Sequence, residues 1–194
     1  MEHIKQDQII NIPNALTVVR ILLLPVVVWR FIIGDATGAL IAYLAAMLTD
    51  ALDGIIARKF NQITALGKLL DPLADKLMAL AVLITFFTKG IVPPVVLAVV
   101  LIKELLMIIG GAIVVKRGYA TTANVYGKVA GLMLNLAIGS GFMHFIWAPY
   151  DQYAMYAATV FVVAAFVQYA VKNISVILNK EKNKEADETD RGER

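Results

Sequence analysis

Six long apolar segments constrain the fold of this chain more than any other feature of its sequence. Each has about 20 residues, the length that an α-helix needs to cross the hydrocarbon core of a bilayer. Inside lipid the backbone must satisfy its own hydrogen bonds, so helices are expected. The sequence therefore predicts an all-α membrane protein, a six-helix transmembrane bundle with short connections. The segments are Ala15–Ile33, Ala36–Ala57, Gly67–Thr88, Ile91–Val115, Val125–Phe145 and Tyr153–Leu178.

Composition supports the same conclusion. Of the 194 residues, 59% are apolar and 17% are charged, whereas soluble domains are about 45–50% apolar. Lipid is therefore expected to cover part of the surface. The chain has no cysteine, which excludes disulfides and thiolate metal sites. His3 and His144 are too far apart in sequence to form a histidine metal-binding motif.

The sequence predicts three regions: a juxtamembrane segment over residues 1–14, a transmembrane domain over residues 15–178 and a charged tail over residues 179–194. The first region is expected to lie at the membrane interface, and without a cleavage-like site the first apolar segment should stay in the membrane. The tail is rich in charge and lacks aromatic residues, which predicts disorder.

Basic residues mark one side of the membrane. The connections after the first and fifth apolar segments lack Lys and Arg, whereas those after the second and fourth contain several. The positive-inside rule then places both termini in the cytoplasm, in a multi-pass protein of the cell membrane. Arg30 lies on the opposite side and is expected to snorkel beside Trp29. The net charge of +3 is small, and basic residues beside apolar segments suit anionic lipid rather than nucleic acid.

Four aspartates in the second and third segments form the candidate functional site. Asp50 and Asp53 are three residues apart and Asp71 and Asp75 are four apart, so each pair shares a helix face. Asp50 lies eight residues before Arg58, and Asp75 lies eight residues into the third segment. With a rise of about 1.5 Å per residue, Asp50 and Asp75 are each expected about 12 Å inside the membrane, which brings the two pairs level.

Ionised aspartates at this depth need positive charge nearby to offset the cost of burying them in lipid. One ionised Asp at mid-membrane costs about 2.5–3.5 kcal/mol, and neighbouring carboxylates repel one another. Divalent cations remove both penalties, and ligands that are all oxygen favour Mg²⁺ or Mn²⁺. Four carboxylates suit two ions, which together stabilise phosphoryl transfer. The predicted metal ligands are Asp50, Asp53, Asp71 and Asp75.

Single parts of this motif also have structural interpretations. Gly54 and Ala57 suit close helix packing as well as the approach of a flat ligand. Asp71 before Pro72 suits a helix cap. Arg58, at the cytoplasmic rim, can pair with a phosphate. Four acids at one depth have no comparable structural explanation, because packing does not relieve their charge.

The hairpin resembles the signature of the CDP-alcohol phosphatidyltransferase family: D-x-x-D-G-x-x-A-R, eight residues, then G-x-x-x-D-x-x-x-D, and every specified position matches. The resemblance implies a homodimeric membrane enzyme that transfers a phosphatidyl group from CDP-diacylglycerol to an alcohol and releases CMP. It implies metal binding by the four aspartates, with Asp75 also the base that takes the hydroxyl proton. It assigns to the CDP site Asp53, Gly54, Ala57, Arg58 and Gly67.

The sequence at the start of the first segment bears on the acceptor, because its resemblance implies a glycerol hydroxyl. The stretch from Asn11 to Arg20 resembles two branches of the family, which use glycerol 3-phosphate or phosphatidylglycerol. Lys103 and Gly111 stand where the first branch typically has arginines. Phosphatidylglycerol, the acceptor of the second branch, therefore stays an alternative. Snorkelling at the surface is an alternative for Arg20. The candidate cations for the acceptor phosphate are Arg20, Lys103, Arg117 and Lys128.

Ion-coupled transporters also contain intramembrane acids and are the alternative of another class. Here all four acids lie on one hairpin near one membrane face. The sequence therefore predicts an enzyme that uses glycerol 3-phosphate, with cardiolipin synthesis from phosphatidylglycerol as the first alternative, followed by inositol phosphate or serine acceptors. A transporter would move its substrate without releasing CMP.

Overall fold

The computed structural model describes residues 11–60, 64–116 and 125–192, and all their regular secondary structure is helical. The predicted all-α class is therefore confirmed for this part of the chain. The interfacial role predicted for residues 1–10 lies outside it. The helices are α1 (Ile12–Ile32), α2 (Ala36–Lys59), α3 (Ala65–Thr88), α4 (Pro94–Lys116), α5 (Val125–Gly141), α6 (His144–Trp147) and α7 (Tyr150–Gly192).

Four of the described helices are long and apolar enough to cross a bilayer, and their spans are Ile12–Ile32, Ala36–Ala57, Pro94–Val114 and Tyr150–Lys172. The other two predicted segments correspond to α3 and α5. α3 has 24 residues but carries several charged residues in its N-terminal half, and α5 has only 17 residues. The protein is thus an apolar helical membrane protein, and the count of six spans stays a prediction.

Two boundaries differ from the prediction. α1 begins at Ile12, inside the predicted juxtamembrane segment, because the side-chain oxygen of Asn11 caps it by accepting from the Asn14 N–H at 2.8 Å. The predicted fifth segment, Val125–Phe145, is not continuous, since α5 ends at Gly141 and α6 follows separately. The glycines at positions 139 and 141 weaken the helix there.

The predicted disorder of the charged tail is wrong for residues 179–192, because α7 continues to Gly192. Lys, Glu and Ala are common in this stretch and favour helix, and it contains no Gly or Pro before Gly192. The preceding apolar part of α7 already supplies the nucleus, so each added residue only propagates the helix.

The chain forms two compact units, and the first comprises Met1–Pro94 and Asn135–Ala154. Within its described residues α1 packs against both α2 and α3. Phe31, Tyr43, Phe86 and Phe142 form an aromatic cluster in its core, with the ring centroids of Phe86 and Phe142 4.8 Å apart. This packing holds α1 and the α2–α3 hairpin in a fixed register.

The turn between α1 and α2 carries its own ion pair. Gly34 has a φ of 90°, which side chains other than glycine rarely adopt. Asp35 caps α2 by accepting from the Gly38 N–H at 2.8 Å, and Nη1 of Arg30 donates to its Oδ2 at 2.6 Å. The hydrogen bond from Arg30, followed by that from Gly38, lowers the pKa of Asp35. The charge of Arg30, for which the sequence suggested only snorkelling, is therefore compensated in this turn.

The second unit comprises Val95–Leu134 and Met155–Arg194. Its α4 contains the intramembrane pair predicted from the sequence, and Nζ of Lys103 contacts the carboxylate of Glu104. The two side chains are 19% and 13% exposed. Lys103 therefore has a carboxylate partner in its own helix, which reduces the cost of placing a cation there.

Candidate active site

Polar residues at the start of α1 build one wall of the site. Asn11, Asn14, Thr17 and Arg20 follow at intervals of three residues, and all four are buried. Neighbours in this series lie close together on the helix surface, and the series turns around α1 so that its members contact both α2 and α3. The stretch that resembled a branch signature in sequence is therefore also the structural partner of the acidic hairpin.

Arg20 lies at the point where the acids of α2 and α3 meet. Its Nη1 is 3.0 Å from Oδ1 of Asp50 and 2.6 Å from Oδ1 of Asp75. Its Nη2 donates to Oδ2 of Asp53. The two helices thus bring these three carboxylates together around one guanidinium. The Arg20 side chain is 2% exposed, so its interpretation as a snorkelling surface residue is wrong.

The fourth acid is held by α1 as well. The hydroxyl of Thr17 donates to Oδ1 of Asp71. Asp71 lies inside α3, whose N-cap is Thr64, so the interpretation of Asp71 as a helix cap is wrong. A hydrogen bond to one carboxylate oxygen fixes its rotamer and leaves the second oxygen available to a ligand.

The acids around Arg20 differ in accessibility. The side chain of Asp53 is 3% exposed, whereas those of Asp50 and Asp75 are 46% and 47% exposed. Asp50 and Asp75 also border a cavity of about 40 Å³ whose other polar lining residues include Tyr43 and Asn135. A few water molecules or one small hydroxyl-bearing group fill such a volume. The two accessible acids are therefore positioned to meet a reactant, and Asp53 is positioned to hold Arg20.

The donor chemistry fits a divalent metal, although the carboxylates do not form a ready cage. Among the residues that the structure describes, no three acidic or histidine side chains are arranged to hold an ion by themselves. The guanidinium of Arg20 contacts both Asp50 and Asp75 and supplies positive charge there. Oxygen donors from four carboxylates suit Mg²⁺ or Mn²⁺. The chemistry of these donors thus suits a divalent ion, and Arg20 contacts the same carboxylates.

The remaining predicted residues are placed as follows. Gly54, Ala57 and Arg58 lie in the C-terminal part of α2 on the same hairpin as the acids, although the structure does not describe the Arg58 side chain. Lys128 is exposed on α5, in the second unit. Arg117 lies outside the described residues. A role for Lys103, Lys128 or Arg117 in acceptor binding stays a prediction.

Gly67 permits the close approach of α1 to α3. Its N–H donates to Oγ1 of Thr64 at 3.0 Å. A Cβ at this position would lie 2.7 Å from Oδ1 of Asn14 and 3.1 Å from Oγ1 of Thr64. Because Asn14 occupies the space left by the missing side chain, the glycine has a packing role in addition to any contact with nucleotide.

We expect Gly67→Ala to lower the melting temperature and the activity, because the methyl group must push Asn14 and α1 away from α3. Overpacking of this kind costs about 1–3 kcal/mol. Thermal unfolding in detergent and CMP release measure the two effects. Gly139→Ala is the matched control, since a Cβ there meets nothing within 4 Å, and it should be neutral or slightly stabilising. Equal melting temperatures for Gly67→Ala and the wild type would contradict the packing role.

Sequence reasoning overlooked several polar residues of the site, namely Asn14, Thr17, Tyr43 and Asn135. The first two carry a readable signal, the three-residue spacing of polar side chains in an apolar helix. Tyr43 and Asn135 carry only the general signal that isolated polar residues in membrane helices tend to face protein. The Tyr43 hydroxyl lies 3.2 Å from Oδ1 of Asn135. This contact depends on the register of α2 and α5.

Comparison with known proteins is consistent with this site. The sequence profile of the CDP-alcohol phosphatidyltransferase family matches residues 10–167. The CDP-diacylglycerol–glycerol-3-phosphate 3-phosphatidyltransferase of Aquifex aeolicus is 36% identical over 66% of this chain and 73% of its own length. The enzyme of the same name from Bacillus subtilis is 30% identical over 84% of this chain and 95% of its own length. A cardiolipin synthase (CMP-forming) of Streptomyces coelicolor is 31% identical over 72% of each chain.

The profile match spans α1, α2 and α3 and thus every residue of the acidic site. The three relatives are named as enzymes that make phospholipids, so the transporter interpretation has no support. This chain belongs to the CDP-alcohol phosphatidyltransferase family and is a membrane-bound transferase of phospholipid biosynthesis.

Proposed function

We propose that the protein transfers the phosphatidyl group of CDP-diacylglycerol to glycerol 3-phosphate in a reaction that depends on Mg²⁺ or Mn²⁺ and releases CMP. The observation that carries the proposal is the convergence of Asp50, Asp53 and Asp75 on one point, beside a cavity that two of them border. The Aquifex and Bacillus relatives, which are named for this acceptor, support the choice of glycerol 3-phosphate.

The carboxylate of Asp75 acts as the general base. As the acceptor hydroxyl oxygen bonds to the phosphorus of the phosphatidyl group, its proton passes to Asp75 and the P–O bond to CMP breaks. A carboxylate within hydrogen-bond reach assists such a step by about 10²–10⁴-fold. Asp50, Asp53 and Asp71 would hold the metal ions, with Asp75 beside them. Bound metal supplies charge neutralisation on the phosphoryl oxygens and on the departing CMP.

The acceptor hydroxyl fits the cavity beside Asp75. This cavity, of about 40 Å³, is lined by polar groups at Asp75, Asp50, Arg20, Tyr43 and Asn135. The Tyr43 hydroxyl is 3.3 Å from the backbone oxygen of Asn135 and 3.2 Å from its Oδ1, so it can turn towards a ligand without leaving its neighbour. Tyr43 and Asn135 would bind the hydroxyl beside Asp75.

We expect Tyr43→Phe to raise the KM for the acceptor by about three- to tenfold, the effect of losing one hydrogen bond. The kcat and the KM for CDP-diacylglycerol should change little, because Asp75 and the other carboxylates remain. Steady-state CMP release with varied acceptor measures both constants. Tyr150→Phe, at an exposed position at the start of α7, is the control. An unchanged acceptor KM would exclude Tyr43 from the acceptor site.

The test of the proposed function is CMP release by the purified protein with CDP-diacylglycerol and a panel of alcohols, with and without Mg²⁺ or Mn²⁺. We expect glycerol 3-phosphate to be the preferred acceptor and EDTA to abolish turnover. Equal turnover in EDTA would contradict metal dependence. No CMP release with any alcohol would contradict the proposed reaction.

Cardiolipin synthesis from phosphatidylglycerol is the second candidate. It is favoured by Lys103 and Gly111, which stand where the glycerol 3-phosphate branch typically has arginines, and by the Streptomyces relative named as a cardiolipin synthase. A phosphate-bearing acceptor requires several cations. Preference for phosphatidylglycerol in the same panel would assign the chain to this branch.

The membrane arrangement proposed with this function has six spans, both termini in the cytoplasm, and two copies of the chain in a homodimer. The distribution of Lys and Arg among the connections supports the orientation. In this arrangement the acids lie in the cytoplasmic part of the bilayer, where acyl chains stay in lipid and the nucleotide and a soluble acceptor enter from water.

A further inference from the structure

Arg20 is an almost fully enclosed cation that contacts two accessible acids and one buried acid. Its side chain is 2% exposed, and its two terminal nitrogens contact Asp50, Asp53 and Asp75. Its Nε is buried and has no hydrogen-bond partner within the described part of the chain. The guanidinium is therefore held almost entirely by carboxylates through its terminal nitrogens.

Arg20 supplies positive charge to the acids of the hairpin. Acids on adjacent helices in lipid repel one another and require a positive partner. A guanidinium has several donors in a planar fork and can serve more than one carboxylate, which a lysine ammonium does less well. The contacts of Arg20 with both α2 and α3 thus hold the acidic side chains together.

The same oxygens are the ones that a metal ion requires. Oδ1 of Asp50 and Oδ1 of Asp75 both contact Nη1 of Arg20, so these two oxygens lie close to a single cationic atom. A divalent ion at that place would have to share or take those oxygens. Two cations at contact distance repel each other strongly in poorly hydrated surroundings.

We propose that Arg20 is an internal cation that a divalent metal displaces from Asp50 and Asp75. This inference rests on the proposed metal-dependent function and goes beyond it by assigning Arg20 a role in metal binding. The acids are preassembled before metal enters, and the metal affinity of the substrate-free protein is weaker than the carboxylates alone would give. A ligand that must displace a competitor binds more weakly by the free energy of that displacement.

The test compares Mn²⁺ binding by the purified, substrate-free wild type and Arg20→Gln, followed by electron paramagnetic resonance at pH 8. We expect the variant to bind Mn²⁺ about tenfold more tightly or better, because the competing charge is gone. In EDTA the variant should melt at a lower temperature than the wild type, and Mn²⁺ should raise its melting temperature by more. Arg30→Gln is the matched control, an arginine of the same helix whose partner is Asp35, and its Mn²⁺ affinity should equal that of the wild type.

Arg20→Lys keeps a positive charge but lacks the fork, so its Mn²⁺ affinity should fall between those of the wild type and Arg20→Gln; it decides the matter if Arg20→Gln does not fold. Equal or weaker Mn²⁺ binding by the folded variants would overturn the inference. If CMP release by the wild type still required metal, only the role of Arg20 would be lost. Absence of Mn²⁺ binding to the wild type, together with CMP release in EDTA, would overturn both the inference and the metal dependence.

Discussion

Asp75→Asn is expected to lower CMP release by about 10²–10⁴-fold while the protein still folds and binds Mn²⁺. Loss of a general base has an effect of this size. Asparagine has nearly the same shape and retains an oxygen that can accept from Nη1 of Arg20, which now donates to Asp75 at 2.6 Å. The carboxylate is also 47% exposed, so its neutralisation leaves no deeply buried charge without a partner. Turnover therefore changes far more than structure.

The measurement is single-turnover CMP release at saturating metal and CDP-diacylglycerol, with Mn²⁺ binding and thermal unfolding measured on the same preparation. Asp35→Asn serves as the control, since that carboxylate caps α2 and pairs with Arg30 in the α1–α2 turn. It should retain the rate of the wild type. An Asp75→Asn enzyme with an undiminished rate would refute the assignment of the base.

Asp53→Asn is expected to abolish both CMP release and Mn²⁺ binding and to destabilise the fold as well. Asp53 is 3% exposed and accepts from Nη2 of Arg20. Removing one partner of a buried ion pair typically costs about 3–5 kcal/mol, because the other charge stays buried. Here Asp50 and Asp75 still contact Arg20, so we expect the lower end of that range. Loss of a ligand carboxylate removes charge that the metal requires.

Asp75→Asn and Asp53→Asn together distinguish the general base from a metal ligand within the acidic cluster. Asp75→Asn should lose turnover and keep metal, whereas Asp53→Asn should lose both and melt at a lower temperature. Manganese titration and thermal unfolding of the two proteins under identical conditions distinguish these outcomes. Should Asp53→Asn bind Mn²⁺ as the wild type does, Asp53 would have to be removed from the set of metal ligands and assigned to holding Arg20 alone.

Much of this molecule could be predicted because membrane helices leave strong local signals. The first four apolar segments matched helices to within a few residues, whereas the fifth is interrupted and α7 continues past Leu178. Asp50 and Asp75 both contact Arg20, as the helical rise led us to expect of acids at matched positions. Both inferences depend only on spacing along one helix or across one hairpin. The family signature added the reaction class, because its fixed positions all lie on that hairpin.

The predictions that were wrong depended on contacts between distant parts of the chain or on a continuing helix. Arg20 has the same local sequence whether it snorkels to the surface or turns inwards; the packing of α1 on α2 and α3 decides between them. Asp71 before Pro72 has the local pattern of a cap, and only the position of Thr64 shows that the helix begins earlier. The tail was predicted disordered from its charge, yet α7 carries the helix through it.

The position of Arg20 on α1, ahead of the acidic hairpin in the chain, affects how the protein enters the membrane. Translation delivers this segment first, and it brings the guanidinium that the hairpin's acids require before those acids emerge. A hairpin that met the lipid alone would carry several uncompensated carboxylates, each of which opposes insertion. The first helix thus carries a positive charge that offsets part of the cost of placing the acids of the two following helices in lipid.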